Sequence, residues 1–438
     1  MEQLNIEKLI NGGYGLGFKD GKTYMIENAY PDEIVEIDIL KNTKNIVFGK
    51  TKKVVKQSKD RVSSVCNHFP KCGGCQWINY KYDKQIEAKQ NIVKEQLRRI
   101  AKIDMDIDSI EPSLLQYQYR NKMEFSVSKE EELKIGLNEK NSSKILDIEN
   151  CPISPNIFDK VRNKVKGIIN TLKIPVYNYQ TKKGVIKHII LRKSFSQNKT
   201  MLIIVTNSEN VPNENELKSE LRKLPVDSII HVMNSSDKVK LRGPYKTWKG
   251  EGVLIEEFDG FTYQIPPTSF FQTNYEITSK MLKHILDYLK PKKTDNKSLL
   301  DLYCGVGLFS VYFSPLFKDV KGVEFSKISI KAANANKNIN FLKNATFYVA
   351  DAIQFLNKSK NNFDYIIIDP PRAGLGKNGV ELLSKKVNNS LIYISCDPST
   401  LARDLKGLTE KGFKIKSIKS FDMFPNTFHV ETIVILEK

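Results

Sequence analysis

The sequence predicts a multidomain α/β protein, and three observations carry that expectation. At 438 residues the chain is longer than one hydrophobic core normally serves. Residues 1–60 are dense in short, glycine-punctuated strand signals, whereas residues 266–438 alternate apolar strands with helical stretches. Those later strands repeatedly end in a polar or reactive residue, as in open sheets that bind ligands at one edge. The expected division is 1–60, a β-barrel; 61–265, a central α/β domain; and 266–438, a doubly wound domain.

Composition narrows the class. A hydrophobic content of 40% and an aromatic content of 10% suit globular folding and argue against disorder. No apolar run approaches the roughly 18 residues needed to span a bilayer, so no membrane partner is expected. MEQLNIEKLI, the first ten residues, lacks the basic and apolar regions of a signal peptide, and a cytoplasmic monomer is expected. A net charge of +19 points to a polyanion, most simply nucleic acid. Lysine outnumbers arginine 59 to 10, so a local lysine cluster carries little information here.

In the first segment Asp20-Gly21 reads as a hairpin turn, and Ile34–Ile39 alternates like a half-buried strand. Lys41 to Arg61 holds eight basic residues and one acid, Asp60. The pattern predicts a small barrel of the oligonucleotide-binding sort. Gly12–Gly17 (GGYGLG), Pro31-Asp32-Glu33 and the basic strand after them resemble a TRAM domain, which implies RNA binding.

Cys66, Cys72 and Cys75 follow as C-x5-C-x2-C. Thiolates so crowded converge on a soft metal, with Cys151 the best fourth ligand. Zinc competes, with His68 available, but three clustered ligands and one distant one fit a 4Fe–4S cluster better. Residues 79–100 read as an amphipathic helix with Ile86, Ile92, Val93, Leu97 and Ile100 on one side and lysines opposite. Tyr117–Lys122 mixes aromatic and basic residues, suiting RNA contact or, more plainly, a strand edge.

From Leu299 the chemistry begins. A strand runs into DLYCGVG (Asp301–Gly307), whose glycines let the backbone approach a ligand closely. A second strand ends at Glu324, an acceptor suited to ribose hydroxyls, and a third at Asp351. A fourth leads to Asp369-Pro370-Pro371-Arg372 and a fifth to Cys396. Asp397-Pro398-Ser399-Thr400 is helix-start chemistry, and the helix dipole is expected to favour a Cys396 thiolate. A lone cysteine at a strand end is more often a small buried hydrophobe.

Glycine on the first strand and acids on the second and third are the pattern of Rossmann-like class I S-adenosylmethionine methyltransferases. SFFQTN (Ser269–Asn274), LDLYCGVG, DPPRAG, SCDPSTLARD and NTFHVETIV (Asn426–Val434), together with the cysteine cluster, resemble the RNA uracil-C5 methyltransferases. Within that family the resemblance is to the TRAM-bearing, iron–sulfur 23S ribosomal RNA branch, and it spans nearly the whole chain. It implies S-adenosylmethionine and a 4Fe–4S cluster as cofactors, and 23S rRNA rather than tRNA as substrate. It assigns Cys396 as nucleophile and Glu431 as base, with Gln272, Tyr303, Glu324, Asp351 and Asp369 at the methyl donor. Leu308 departs from the family pattern, and Cys304 in the glycine turn is expected to be packing.

Uracil C5 is too weak a nucleophile to take a methyl group unaided, so a thiolate adding at C6 and a base removing the C5 proton complete the chemistry. The rival class is an amino-methyltransferase that flips adenine or cytosine beside DPPR; such enzymes place an aromatic residue where this chain has Arg372. A non-catalytic RNA-binding or iron–sulfur protein is the remaining alternative.

Overall fold

The computed structural model describes residues 3–237, 239 and 241–438. By compactness the chain divides into two units, each assembled from remote segments. One comprises Met1–Pro70, Gly74–Gln116 and Asp369–Lys438; the other comprises Lys71–Gly73 and Tyr117–Ile368.

The first unit begins with β1 (Gln3–Asn5), β2 (Lys8–Leu9), β3 (Gly15–Lys19), β4 (Lys22–Glu27), β5 (Ile34–Asn42) and β6 (Ile46–Lys56). They form a six-stranded sheet in the order β1-β5-β6-β4-β3-β2, antiparallel except at β4/β6. Alternating side chains bury Leu4, Ile6, Tyr24, Ile26, Val35 and Val47 in one cluster, as half-buried strands should. Asp20 and Gly21 both have positive φ, 50° and 71°, and bring Lys19 opposite Lys22, the two-residue hairpin expected there.

Helix α1 (Tyr82–Gln96) continues into a π-helical turn, Leu97–Ala101. Ile92, Val93 and Leu97 are buried as expected, but Ile86 and Ile100 are only half-buried. The lysines do not all lie opposite. Lys89 is fully buried, paired with the equally buried Asp422 and hydrogen-bonded to the Phe424 carbonyl. An ion pair is what permits a lysine inside a core, and its partner lies 333 residues away in sequence.

In the second unit β7 (Lys122–Lys129), β8 (Leu133–Asn138), β9 (Ile145–Asp147), β10 (Ile186–Lys193), β11 (Thr200–Thr206), β12 (Ser228–Met233) and β13 (Tyr245–Lys249) make a seven-stranded mixed sheet. Its order is β13-β12-β11-β10-β7-β8-β9, with α2 (Asn156–Thr171) and α3 (Glu214–Arg222) between strands in sequence. A hairpin of β14 (Leu254–Phe258) and β15 (Phe261–Ile265) and helix α4 (Tyr275–Leu289) lead to the doubly wound part. There β16 (Ser298–Leu302), α5 (Leu308–Phe313), β17 (Asp319–Glu324), α6 (Lys327–Ile339), β18 (Ala345–Val349), α7 (Ala352–Lys358) and β19 (Phe363–Ile368) alternate. The four strands are parallel in the order β18-β17-β16-β19.

The chain then rejoins the first unit with α8 (Gly376–Lys386), β20 (Val387–Ser395), α9 (Pro398–Glu410), β21 (Lys414–Phe421) and β22 (Glu431–Glu437). Strand β22 lies between β20 and β21 and is antiparallel to both. Among the described residues no helix is long and apolar enough to cross a membrane.

Candidate active site

Cys396 follows β20 directly. The next residue, Asp397, caps α9 by accepting from the backbone N–H groups of Ser399 and Thr400, each at 2.9 Å, and Pro398 takes the first helical position. The helix start is therefore where the sequence predicts it. The expected thiolate is not. Burial, then the charges of Glu431 and Asp369, push the half-buried Cys396 thiol up to about 12; Asp397 adds to the rise, and Arg372 alone opposes it. A capping carboxylate cancels the positive end of the dipole that would have favoured the anion.

Glu431 opens β22, opposite Phe421 on β21, with 4% of its surface exposed, not solvated as strand-start carboxylates usually are. Burial, and after it the charge of Asp369, raise its carboxyl well above the ordinary range, again against Arg372. Cys396, Glu431 and Asp369 thus come together, with Arg372 as the cation that acts on both the thiol and the carboxyl.

The Arg372 backbone is held by α9: its carbonyl accepts from Thr400 Oγ1 at 3.0 Å, and the Ala373 carbonyl accepts from Arg403 Nη2 at 2.8 Å. Its exposed guanidinium donates through Nη2 to His429 Nε2 at 3.3 Å. His429 lies against Phe428, with ring centroids 4.0 Å apart, and meets Phe424 edge-on at 5.9 Å. Sequence reasoning used Arg372 only to disfavour a base-stacking site and left open whether His429 orients Glu431 or contacts RNA. Their meeting spans 57 residues, and no local motif announces it.

The second unit carries the other predicted residues. In the turn from β16 to α5, Tyr303, Gly305 and Gly307 all have positive φ, 64°, 54° and 85°. A left-handed tyrosine is strained, and such strain gathers at ligand sites. Buried Asp301 pins the turn by accepting from the Ser310 backbone at 2.9 Å and from its hydroxyl. Asn336 Nδ2 donates to the Val306 carbonyl at 2.9 Å. A Cβ on Gly305 would meet nothing within 4 Å, leaving room beside the backbone for a ligand.

At the end of β17, Glu324 accepts from the Ser326 N–H through Oε1, and its Oε2 has no hydrogen-bond partner among the described residues. Asp351 does not end β18, which stops at Val349; it caps α7 through Oδ1 and is exposed. Gln272 is buried, its carbonyl accepting from Asn121 Nδ2 at 2.8 Å. An open left-handed turn followed by a strand-end carboxylate with a spare oxygen fits a nucleoside-bearing ligand. Leu308 starts α5 with 6% exposure and is a core residue. Cys304 is packing, as expected: 4% exposed, its thiol raised far up by burial, Asp301 and Glu324.

Of the four predicted cluster thiols, Cys151 is buried and Cys66, Cys72 and Cys75 are half-buried. Burial pushes Cys151 up to about 11, and Cys72 is close enough to add to the rise. Among the described residues no group of three or more histidine, cysteine or acidic side chains is arranged to hold a metal ion. The donor chemistry suits a soft metal, and the structure brings Cys72 and Cys151 within each other's influence.

The glycine turn of one unit suits a nucleoside-bearing ligand, and the other unit groups a half-exposed thiol with carboxyls and a guanidinium. The sequence model of the tRNA (uracil-5-)-methyltransferases matches residues 81–438, and the chain belongs to that family. An uncharacterized RNA methyltransferase of Thermotoga maritima is 43% identical to it, over 100% of this chain and 99% of that one. Another, from Clostridium tetani, is 33% identical over 97% and 93% of the two chains. The crystal structure of Pyrococcus abyssi tRNA (uracil-54, C5)-methyltransferase in complex with S-adenosyl-L-homocysteine matches with a TM-score of 0.78 at 27% identity, covering 99% of this chain and 100% of that one. The protein is an RNA (uracil-C5)-methyltransferase.

Proposed function

We propose that the enzyme methylates C5 of a uridine in RNA from S-adenosylmethionine, through a covalent bond between Cys396 Sγ and uracil C6. The observation that carries this reading is the electrostatic grouping of half-exposed Cys396 with the buried Glu431 and the half-buried Asp369. Cys396 loses its proton to water and its sulfur lone pair forms the S–C6 bond. The C5=C6 pair moves toward O4, leaving C5 an enolate carbon. Tyr303, Glu324, Asp351, Gln272 and Asp369 would hold S-adenosylmethionine, whose sulfonium would supply the methyl group that C5 accepts, with S-adenosylhomocysteine as the leaving group. Glu431, ionised at that stage, takes the C5 proton; the double bond re-forms and Cys396 leaves as thiolate. Raised proton affinities suit both roles, because a thiolate or carboxylate that holds protons tightly is the stronger nucleophile or base once ionised.

23S rRNA is the proposed substrate, on the strength of the TRAM-like N-terminal sheet, residues 1–60, and the cysteine set. A tRNA substrate is the second reading. It is favoured because the Pyrococcus abyssi protein, named for tRNA, matches over 99% of this chain, N-terminal sheet included. Mapping 5-methyluridine across both RNAs in a deletion strain decides: loss in 23S rRNA is expected, loss in tRNA alone transfers the assignment, and loss in neither overturns the function.

Cys66, Cys72, Cys75 and Cys151 are proposed as ligands of a 4Fe–4S cluster in the central segment, residues 61–265. Its role would be structural, since the methylation moves no electrons. Protein purified without oxygen should be brown, and Cys72→Ala should remove the colour. Colourless protein with stoichiometric zinc would replace iron by zinc.

A further inference from the structure

Three acidic side chains, Glu431, Asp369 and Asp397, raise the proton affinity of Cys396, and one cation, Arg372, lowers it. The effectiveness of that cation depends on where a long, exposed side chain is held. The backbone of Arg372 is fixed by Thr400 and by the turn in which Gly374 N–H donates to the Pro371 carbonyl at 2.8 Å. The guanidinium hydrogen-bonds to His429 Nε2. That nitrogen must be unprotonated to accept. Phe428 and Phe424 hold the imidazole plane, and the backbone N–H of His429 donates to Thr427 Oγ1 at 3.2 Å.

We propose that His429 is a positioning residue that acts through Arg372: its Nε2 anchors the guanidinium where the positive charge opposes the carboxylates around Cys396. Neither side chain needs to touch the reacting atoms for this. His429 sits two residues before Glu431, so the residue that anchors the cation and the proposed base belong to one segment. The inference rests on the reading of Cys396 as nucleophile, yet its test needs neither RNA nor methyl donor.

The test is the rate of Cys396 alkylation by iodoacetamide in the full-length protein at pH 9, read by mass spectrometry on the peptide that carries Cys396. In that reaction the thiolate forms an S–C bond, iodide leaves and the thiol proton goes to solvent. His429→Phe keeps a ring against Phe428 and removes the acceptor; Arg372→Gln removes the charge. Each should slow alkylation about 3- to 10-fold, as loss of one nearby opposite charge implies. The double variant should be no slower than Arg372→Gln alone, because both remove one interaction. His429→Gln, which retains an acceptor oxygen, should recover most of the rate, an outcome a merely structural histidine would not give. Wild-type rates in His429→Phe, or additive losses in the double variant, would overturn the proposal. If His429→Phe does not fold, His429→Asn and His429→Gln compared with Arg372→Gln carry the same cycle. Failure of the nucleophile reading itself would appear elsewhere, as methyl transfer retained in Cys396→Ala.

Discussion

Cys304 and Cys396 invite comparison. Each follows a strand by one or two residues, each lies near carboxylates, and each holds its proton more tightly than an ordinary thiol. They differ in access and company. Cys304 is sealed in the glycine turn, with its own Gly305 carbonyl 3.9 Å from the sulfur, and a Cβ on Gly322 would come within 3.0 Å of it. Cys396 is half-exposed, with a buried carboxyl and a guanidinium acting on it. Thiol acidity in the free protein therefore does not mark the nucleophile. Access and a neighbouring acid–base group are what set Cys396, the proposed nucleophile, apart from Cys304.

The widest separation between the two should come from alanine substitution. Cys396→Ala is expected to lower methyl transfer by more than about 10⁴-fold and to abolish the adduct with 5-fluorouridine RNA, since a covalent route without its nucleophile is closed. Cys304→Ala should keep turnover within about 3-fold, its effect being a small loss of packing. Equal losses in the two variants would erase the distinction.

Glu431→Gln sharpens the role of the company Cys396 keeps. Turnover should fall about 10²- to 10⁴-fold, the usual range for a general base. Because C5 deprotonation follows bond formation, unmodified RNA should accumulate as a protein-linked, methylated species on denaturing gels. Loss of the adduct along with turnover would place Glu431 at the earlier step.

A pH series separates the thiols by a smaller effect. With its pKa pushed up to about 12, Cys396 should alkylate about tenfold faster per pH unit between pH 7 and 10, without a plateau. Cys304 should stay unlabelled in the folded protein throughout. A plateau near pH 8 for Cys396 would mean an ordinary thiol.

The smallest effect concerns stability. Glu431 is a carboxyl whose folded-state pKa is raised, so above the ordinary carboxyl range, about 4.3, the native state holds a proton that the unfolded state has lost. Its contribution to stability then falls as pH rises toward the folded value. Glu431→Gln removes that slope, and its Tm should exceed the wild-type value by a margin that widens from pH 5 to pH 8. A constant margin would mean that Glu431 ionises normally.

The same pair of cysteines measures how much was legible in the sequence. Local chemistry was readable: Asp20-Gly21 as a turn, Asp397-Pro398 as a helix start, Cys304 as packing, and the strands that deliver Glu324, Asp369 and Cys396 but not the one expected to end at Asp351. The sign of the Cys396 shift was not, because it sums burial with the charges of Glu431, Asp369, Arg372 and Asp397, which come from three separate segments. Helical periodicity could not reveal that Lys89 faces inward, since its partner Asp422 belongs to the other end of the chain. Nor could spacing announce that Arg372 and His429 meet. What sequence reasoning missed were pairings between segments.

Strand β22 comes last in chain order yet lies between β20 and β21, and its first residue is Glu431. Synthesis runs from the N-terminus, and domains fold as their segments appear. Until β22 is made, β20 and β21 have no partner between them, and the carboxyl that acts on Cys396 is absent. Unpairing β22 would therefore break the sheet on both sides and carry away that carboxyl in one event.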